Sequence, residues 1–372
     1  MTVGVLGGLL PVSAWAAPAR STVPSPNTTT QQGLLDGVSC TSAKACTAVG
    51  SYNNEALAEA WNGTKWTIEH TPDPYQAKDS TLSGVSCTSA KTCTAAGEYL
   101  DAARTIETLA EAWNGKKWTI EHTPNPTGSP DSILDGVSCT SARACTAIGD
   151  YATSFYSYET LAEVWAGKKW AIEKTPNPAD AGEGSFLSAV SCTSDTWCTA
   201  VGAYAVVNNG VPRTLAEAWN GKKWTIEPTL TRAEWSLSAV SCTSATKCTA
   251  VGSGSGRTLA EDWNGKKWTV ETTPNSTKAK DDDLSCTSAK ACIAVGSGAA
   301  GTLAEVWNGK KWAIEHTANP TGAKDSSLSG VSCTSATTCT AVGYYENSAN
   351  TSLTLAEAWS DTRWTVEHTP KP

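Results

Sequence analysis

Seven pairs of cysteines carry the clearest chemistry in this sequence. Within each pair five residues separate the two thiols, as in the segment "CTSAKAC". The pairs are Cys40 and Cys46, Cys87 and Cys93, Cys139 and Cys145, Cys192 and Cys198, Cys242 and Cys248, Cys286 and Cys292, and Cys333 and Cys339. Zinc sites favour the tighter C-x2-C spacing, and histidines do not accompany these pairs. Because cysteines on either side of a short turn face each other across a β-hairpin, the pattern predicts seven structural disulfides, no metal site and an oxidising compartment.

Two sets of glutamates also recur once per repeat, and paired carboxylates are the groups that glycoside hydrolysis requires. The first set is Glu59, Glu111, Glu163, Glu217, Glu261, Glu305 and Glu357, and the second is Glu69, Glu121, Glu173, Glu227, Glu271, Glu315 and Glu367. An active site is used once, whereas these residues are copied seven times, so we interpret them as scaffold. We expect them to pair with the lysines of the "GKKW" segments or with backbone amides. The sequence therefore predicts no catalytic residue and no cofactor.

The elements that position these residues follow from a repeat of 44 to 53 residues between successive first cysteines. Four short segments rich in Thr, Val, Ile and Trp read as strands in each repeat. In the second repeat strand a is "LSGVSCT", strand b "CTAAGEY", strand c "TLAEAW" and strand d "KWTIEHT". Asn-Gly between strands c and d predicts a hairpin turn with positive φ at both residues. Proline after strand d ends the strand.

Seven such units predict an all-β protein, a seven-bladed β-propeller of four-stranded antiparallel blades with one disulfide in each blade. An open β-solenoid is the alternative that the repeat length allows. The chain begins on a strand a and ends on a strand d. Each blade is therefore either contiguous, or the last strand d joins the first blade, and the sequence leaves both arrangements open.

The rest of the composition limits location and partners. Residues 1–16 resemble a signal peptide with a small-x-small site before Ala17, although no basic residue precedes the apolar run. We expect residues 17–32 to be a flexible segment and residues 33–372 to form the propeller. No later stretch approaches the ~20 apolar residues that span a bilayer. A net charge of −8 does not provide the excess of basic residues that binding to the phosphates of nucleic acid requires. These features predict a secreted monomer.

The repeat motifs resemble a known group of proteins. "GVSCTSA..CTAVG" followed by "TLAEAWNGKKWTIE.TPNP" is similar to the repeats of secreted, largely uncharacterised actinobacterial propeller-type proteins, and the "W-N-G-x-x-W" hairpin is loosely similar to kelch-like blades. The resemblance covers Gly33 to the C-terminus. It implies the fold and export, and it brings no catalytic motif.

Variable connections indicate where a ligand would bind. In a meandering blade the a–b and c–d turns lie on one face of the disc, where their length is constant. The b–c and d–a connections lie on the other face, and the b–c connections vary from 6 to 12 residues. Variation confined to one face of a repeat array marks a working surface.

The nine tyrosines lie in or beside these connections, and tyrosine suits sugar rings and protein hot spots. The candidate binding residues are Tyr99, Arg104, Tyr151, Phe155, Tyr156, Tyr158, Tyr204 and Arg213.

Three functional classes stay open at this point. The favoured one is a binding protein that recognises a glycan or a cell-surface protein through the long b–c loops, with the arginines contacting carboxylate or sulfate. The second is an extracytoplasmic carbohydrate-active hydrolase or lyase that uses the acids Asp101, Asp150 and Glu159. The third is a structural cell-surface protein. Acids before strand a, at Asp79, Asp131, Glu234 and Asp325, either bind Ca²⁺ or cap turns, and we favour turn capping.

Overall fold

The structure is a computed structural model that describes residues 32–154, 157–207, 210–229, 233–274, 278–360 and 362–372, without the side chain of Glu183. The predicted signal peptide and all of the flexible segment except residue 32 lie outside the described residues. Every regular element in the described chain is a β-strand.

Twenty-eight strands form seven consecutive units of four. Unit one has β1 (Gly33–Ser42), β2 (Ala45–Tyr52), β3 (Glu55–Trp61) and β4 (Trp66–Glu69). Unit two has β5 (Asp79–Ser89), β6 (Thr92–Leu100), β7 (Ile106–Trp113) and β8 (Trp118–Glu121). Unit three has β9 (Ser132–Ser141), β10 (Ala144–Ser154), β11 (Ser157–Trp165) and β12 (Trp170–Glu173). Unit four has β13 (Ala181–Ser194), β14 (Trp197–Val206), β15 (Pro212–Trp219) and β16 (Trp224–Ile226).

The remaining units have the same order. Unit five has β17 (Trp235–Ser244), β18 (Lys247–Gly254), β19 (Arg257–Trp263) and β20 (Trp268–Glu271). Unit six has β21 (Lys280–Ser288), β22 (Ala291–Gly298), β23 (Gly301–Trp307) and β24 (Trp312–Glu315). Unit seven has β25 (Asp325–Ser335), β26 (Thr338–Glu346), β27 (Ser352–Ser360) and β28 (Arg363–Glu367).

Each unit is one antiparallel meander, and the first strands of neighbouring units contact one another in a closed ring that runs from β1 through β5 to β25 and back to β1. The chain is therefore a seven-bladed β-propeller, as predicted, and the closed ring excludes the solenoid. Every blade is contiguous in sequence, because β1 pairs with β2 and β28 pairs with β27. Blades seven and one close the ring by packing β1 against β25, β26 and β27.

The predicted disulfides are confirmed in all seven blades. Each cysteine pair is directly opposite in the register of the first two strands, with S–S distances of 2.00 to 2.05 Å. None of the cysteines is free. The serine before the first cysteine adds a contact between blades, because its hydroxyl accepts a hydrogen bond from the backbone N–H of the first cysteine in the next blade. This bond is 2.9 to 3.0 Å long at all seven interfaces, including Cys40 N–H to Ser332 at the closure.

A bulge in the first strand explains the glycine that ends the "CTAVG" motif. In blade one the pairing of β1 with β2 skips Asp36, between Leu35 and Gly37, and the same shift recurs in every blade. A Cβ atom at Gly50 would lie 2.1 Å from the carbonyl oxygen of Leu34. The equivalent glycines of the other blades have the same contact at 2.0 to 2.2 Å. Only glycine lets the second strand approach the bulge this closely.

The turn between the third and fourth strands differs from the predicted one. In blade one four residues, Asn62 to Lys65, separate the paired tryptophans Trp61 and Trp66. Positive φ occurs at Gly63 and not at Asn62. The side-chain oxygen of Asn62 instead accepts hydrogen bonds from the backbone N–H groups of residues 64 and 65, at 3.0 and 3.1 Å. Asparagine is therefore selected as a side-chain cap for the turn, and glycine supplies the left-handed residue.

The expected partners of the repeated glutamates are also different. All seven glutamates of the third strands are fully buried at 0 % exposure. Glu305 and Glu357 have hydrogen-bond partners other than lysine: the Thr258 hydroxyl donates to Glu305 at 3.1 Å, and the backbone N–H of Ala318 donates to Glu357 at 3.0 Å. Threonine hydroxyls of the preceding blade are also the neighbours of Glu59, Glu163 and Glu217. Desolvation raises the pKa of Glu59, Glu111, Glu163 and Glu217 to about 8. These buried glutamates are therefore mostly protonated at neutral pH.

Glutamates of the fourth strands tie blades together at the outside of the disc. The indole N–H of Trp66 donates to Glu367 at 2.9 Å, that of Trp118 to Glu69 at 3.1 Å and that of Trp170 to Glu121 at 3.0 Å. Each bond joins a tryptophan to the preceding blade. At these three interfaces the glutamates of the second set therefore have a structural partner, and that partner is tryptophan and not lysine.

Blade six breaks the repeat in its core. Asp281 occupies the position of a fully buried leucine in the other six blades and is itself 0 % exposed. Neither carboxyl oxygen has a hydrogen-bond partner among the described residues. Burial and the nearby Glu305 raise the pKa of Asp281 well above its usual value. An unpaired buried carboxyl destabilises a fold even when it is protonated.

Asp281→Leu is therefore expected to stabilise the protein by about 2 kcal/mol at neutral pH. The measurement is the free energy of unfolding in denaturant. Asp282→Ser is the matched control, since Asp282 lies one residue further, pairs with Lys280 at 3.1 Å, and occupies a position where four other blades have serine. A loss of stability in the leucine variant would show that Asp281 has a partner that offsets its burial.

Candidate functional site

The candidate site lies on the face that carries the b–c and d–a connections, which we call the long-loop face. The opposite face carries the a–b and c–d turns, and we call it the turn face. The meander order of all seven blades produces this division, as the sequence predicts. On the long-loop face single parallel bridges join the third strand of one blade to the start of the next blade. Tyr158 of β11 forms such a bridge with Gly184 of the long strand β13, and equivalent bridges join Ile106 to Asp131 and Ser352 to Gln32.

Three of the predicted tyrosines occupy one repeated position. Tyr99, Tyr151 and Tyr204 each lie two residues after the glycine of the second strand and pack against the core between their own blade and the preceding one. Tyr204 is 7 % exposed. The phenol of Tyr99 donates to Glu107 at 2.5 Å, and the phenol of Tyr151 donates to Glu159 at 2.7 Å. Tyr99 and Tyr151 are half-buried and Tyr204 is buried, so all three have limited exposure on the long-loop face.

The two tyrosine–glutamate pairs hold a carboxylate at the same place in blades two and three. Burial and the facing carboxylate raise the pKa of Tyr151 to about 12 and raise that of Tyr99 as well. Both phenols therefore stay protonated and act as donors. Each tyrosine therefore fixes one carboxylate oxygen of its glutamate.

The two predicted arginines lie in separate connections. Arg104 is exposed at the tip of the 101–105 turn, where it has positive φ and its backbone N–H donates to Asp101 at 3.1 Å. Arg213 is opposite Tyr204 in the register of β14 and β15. Its guanidinium pairs with Asp180, in the connection from blade three to blade four, at 3.3 Å. Arg213 is thus oriented across a blade boundary, whereas Arg104 is free to move with its turn.

The aromatic group predicted in blade three is only partly described. Phe155 and Tyr156 lie outside the described residues. Tyr158 packs against Phe186 of β13, with ring centroids 5.5 Å apart. Sequence reasoning missed Phe186, although it is one of only two phenylalanines and stands in a strand where no other blade has an aromatic residue at that position. This contact supports the junction between blades three and four.

The acids that an enzyme would use have structural partners. Asp101 accepts a hydrogen bond from the backbone N–H of Thr105 at 2.8 Å and caps its turn, and Glu159 accepts the Tyr151 hydroxyl. Asp150 is 3 % exposed.

The acids before the first strands bind nearby groups as well: Asp131 accepts from the N–H of Ile106, Glu234 from the Ser255 hydroxyl and Asp325 from the N–H of Ser326. In the described residues no three His, Cys, Asp or Glu side chains converge as metal ligands.

The structure therefore does not gather the predicted residues into one pocket. Tyr99, Tyr151 and Tyr204 repeat around the ring, one per blade. Tyr158 marks the junction of blades three and four, and Arg213 spans it. Together they outline an arc over blades two to four, and binding by this arc stays a prediction.

Comparison with known proteins defines the fold. No protein-family profile and no curated protein matches the sequence. Solved structures do match. YCF48 bound to D1 peptide has a TM-score of 0.51 at 13% identity over 96% of this chain and 98% of that chain. U3-55K has 0.53 at 9% over 82% and 87%, and the RRP9 WD40 repeats have 0.52 at 9% over 82% and 86%. At such low identity these likenesses establish the β-propeller fold alone. No helix in the described chain is long and apolar enough to cross a membrane.

Proposed function

We propose that the protein is a secreted, non-enzymatic binding propeller that recognises a protein segment or a glycan through the long-loop face of blades two to four. The observation that carries the proposal is the variation between blades on this face. The turn face repeats short turns of constant length, whereas the long-loop face has b–c connections of 6 to 12 residues and the extended strand β13. Function in repeat folds concentrates where the repeats differ.

Two observations bear on the ligand. The held carboxylates of Glu107 and Glu159 and the arginines Arg104 and Arg213, all in blades two to four, offer both signs of charge, which suits the mixed polarity of a protein segment. A propeller of similar fold was solved with a peptide bound. Glycan recognition is the second candidate, since tyrosine edges next to fixed carboxylates match the apolar faces and hydroxyls of sugars. Seven disulfides in one chain are typical of an oxidising compartment and support export.

The proposal is tested by screening the purified, oxidised protein against a random peptide display library and a glycan array in parallel. For a recovered ligand, Arg104→Ala with Arg213→Ala is expected to weaken binding by about tenfold or more, because charged anchors dominate such contacts.

The matched control is Arg143→Ala with Arg363→Ala, which removes two exposed arginines from the turn face. We expect this pair to leave the affinity unchanged. Equal loss in both variants would place the site elsewhere. Turnover of a polysaccharide that Glu159→Gln abolishes would favour the hydrolase or lyase, and failure to recover any ligand would favour the structural role.

A further inference from the structure

The turn face has a charge opposite to that of the whole protein. Although the net charge is −8, seventeen of the 28 lysines and arginines lie in or next to the a–b and c–d turns, and all seventeen are exposed. They are Lys44, Lys65, Lys91, Lys116, Lys117, Arg143, Lys168, Lys169, Lys222, Lys223, Lys247, Lys266, Lys267, Lys290, Lys310, Lys311 and Arg363. Among the described turn residues the single acid is Asp195. The other described acids lie within the strands or in the connections of the long-loop face.

The basic residues form two connected rings. The c–d turns carry the outer ring, and the a–b turns, nearer to the axis, carry the inner one. In four blades the inner residue lies directly over the glycine of the outer turn, so that any Cβ there would collide with its side-chain stem; the pairs are Lys44 over Gly63, Lys91 over Gly115, Arg143 over Gly167 and Lys290 over Gly309. The stems are thus packed while the charged heads extend into solvent.

Local hydrogen bonds and tryptophan packing fix the backbone of the outer turns. In five blades an asparagine side chain caps the turn, as Asn114 does by accepting the backbone N–H groups of Lys116 and Lys117 at 3.0 and 3.1 Å. The tryptophans on either side of each turn pack on each other, with ring centroids 5.6 to 5.9 Å apart in every blade. Blades one to six share a turn with a left-handed glycine, so their basic residues start from the same backbone geometry around the disc.

We propose that the turn face docks on a planar anionic surface, the phosphate headgroups of a lipid bilayer that contains anionic lipid. A plane meets all seven turns at once, and each basic residue near such a surface adds to the attraction. The acids on the other face point away from the bilayer. Docked in this way, the protein would present its long-loop face to the surroundings. The inference is independent of the ligand proposed for that face.

A bilayer fits better than a rod-like polyanion such as nucleic acid. The basic residues spread over the whole face instead of following one groove, so a rod could touch only part of them. Fifteen of the seventeen are lysines, which act as point charges and lack the bidentate geometry of arginine. The two tryptophans beside each c–d turn are packed against each other, which reduces the ring area available for stacking bases. The described turns have no exposed large apolar side chain, so the docking is electrostatic.

The experiment is co-sedimentation of the oxidised protein with vesicles of phosphatidylcholine alone or with about one-third phosphatidylglycerol. Binding is expected only to the anionic vesicles, and it should be lost when salt rises from about 0.1 M to about 1 M, where the screening length falls to about 3 Å. Changing Lys116, Lys117, Lys222 and Lys223 to Gln should weaken it by about tenfold or more. These turns keep their backbone caps from Asn114 and Asn220.

The matched control changes four exposed lysines outside the turn face, Lys78, Lys174, Lys324 and Lys371, to Gln. It has the same net charge as the turn variant, and we expect it to bind as the parent does. Equal loss in the two variants would overturn the assignment to this face. Absence of vesicle binding by the parent, or binding of a DNA duplex in its place, would overturn the bilayer as partner. Thermal melts of both variants show whether they are folded.

Discussion

Gly202→Ala is expected to destabilise the propeller by about 3 kcal/mol or more, although it adds a single methyl group. The new Cβ would lie 2.0 Å from the carbonyl oxygen of Phe186 and 2.9 Å from the Cα of Leu187. Both atoms belong to the backbone of β13, which the bulge pushes toward β14. A side chain could rotate away from the methyl group, whereas a backbone inside a sheet cannot move without breaking its hydrogen bonds. The measurement is the midpoint and slope of denaturant unfolding.

Gly136→Ala is the matched control for this prediction. Its Cβ would have no contact closer than 3.5 Å, and blades four and five have alanine, Ala189 and Ala239, at the same position. We expect its stability to lie close to that of the parent. If both variants lost the same stability, the glycine of the second strand would be needed for its flexibility and not for its size.

Stability is expected to fall as the pH rises from about 5 to about 9, which is the reverse of the usual acid denaturation. The buried glutamates of the third strands have a pKa of about 8 in blades one to four and about 7 at Glu357, against 4.5 in the unfolded chain. Between these values the folded state binds more protons than the unfolded state. The stabilisation is therefore complete below about pH 4.5 and is lost as the pH rises through 8.

A single carboxyl whose pKa moves from 4.5 to about 8 loses about 5 kcal/mol of stabilisation across this range, so the expected loss is at least several kcal/mol, on the order of 10 °C or more in the melting temperature. The measurement is a series of melts across this range in buffers of equal ionic strength. Glu111→Gln keeps the shape of the side chain and removes the ionisable group. It should reduce the slope of the melting temperature against pH by the contribution of one carboxyl. Glu55→Gln, at an exposed position, is the control and should leave the curve unchanged. A melting temperature that stays constant or rises with pH would show that the buried carboxyls ionise without cost.

The candidate site was only partly predictable. Sequence variation indicated the face that we propose for binding, because a connection whose length changes between repeats cannot be part of the constant scaffold. It did not distinguish ligand-facing tyrosines from packing tyrosines, since Tyr99, Tyr151 and Tyr204 share a repeated position whose orientation depends on the neighbouring blade. The partner of Arg213, Asp180, comes from a connection 33 residues away in the chain, and no local pattern indicates it. The charge of the turn face was hidden in the same way, because a net charge averages over opposite faces.

The sequence by itself determined what is local in this protein. Strand length, turn chemistry and the five-residue spacing of the cysteines lie within one repeat, so they predict the blades, the disulfides and the division into two faces. Only the tertiary structure decided how blades meet. The serine–cysteine bonds, the buried glutamates facing threonine, the tryptophan–glutamate contacts and the parallel bridge between blades three and four each connect residues from different repeats. In a ring such contacts depend on which strand is innermost and on how the ends close, and neither is recorded within a single repeat.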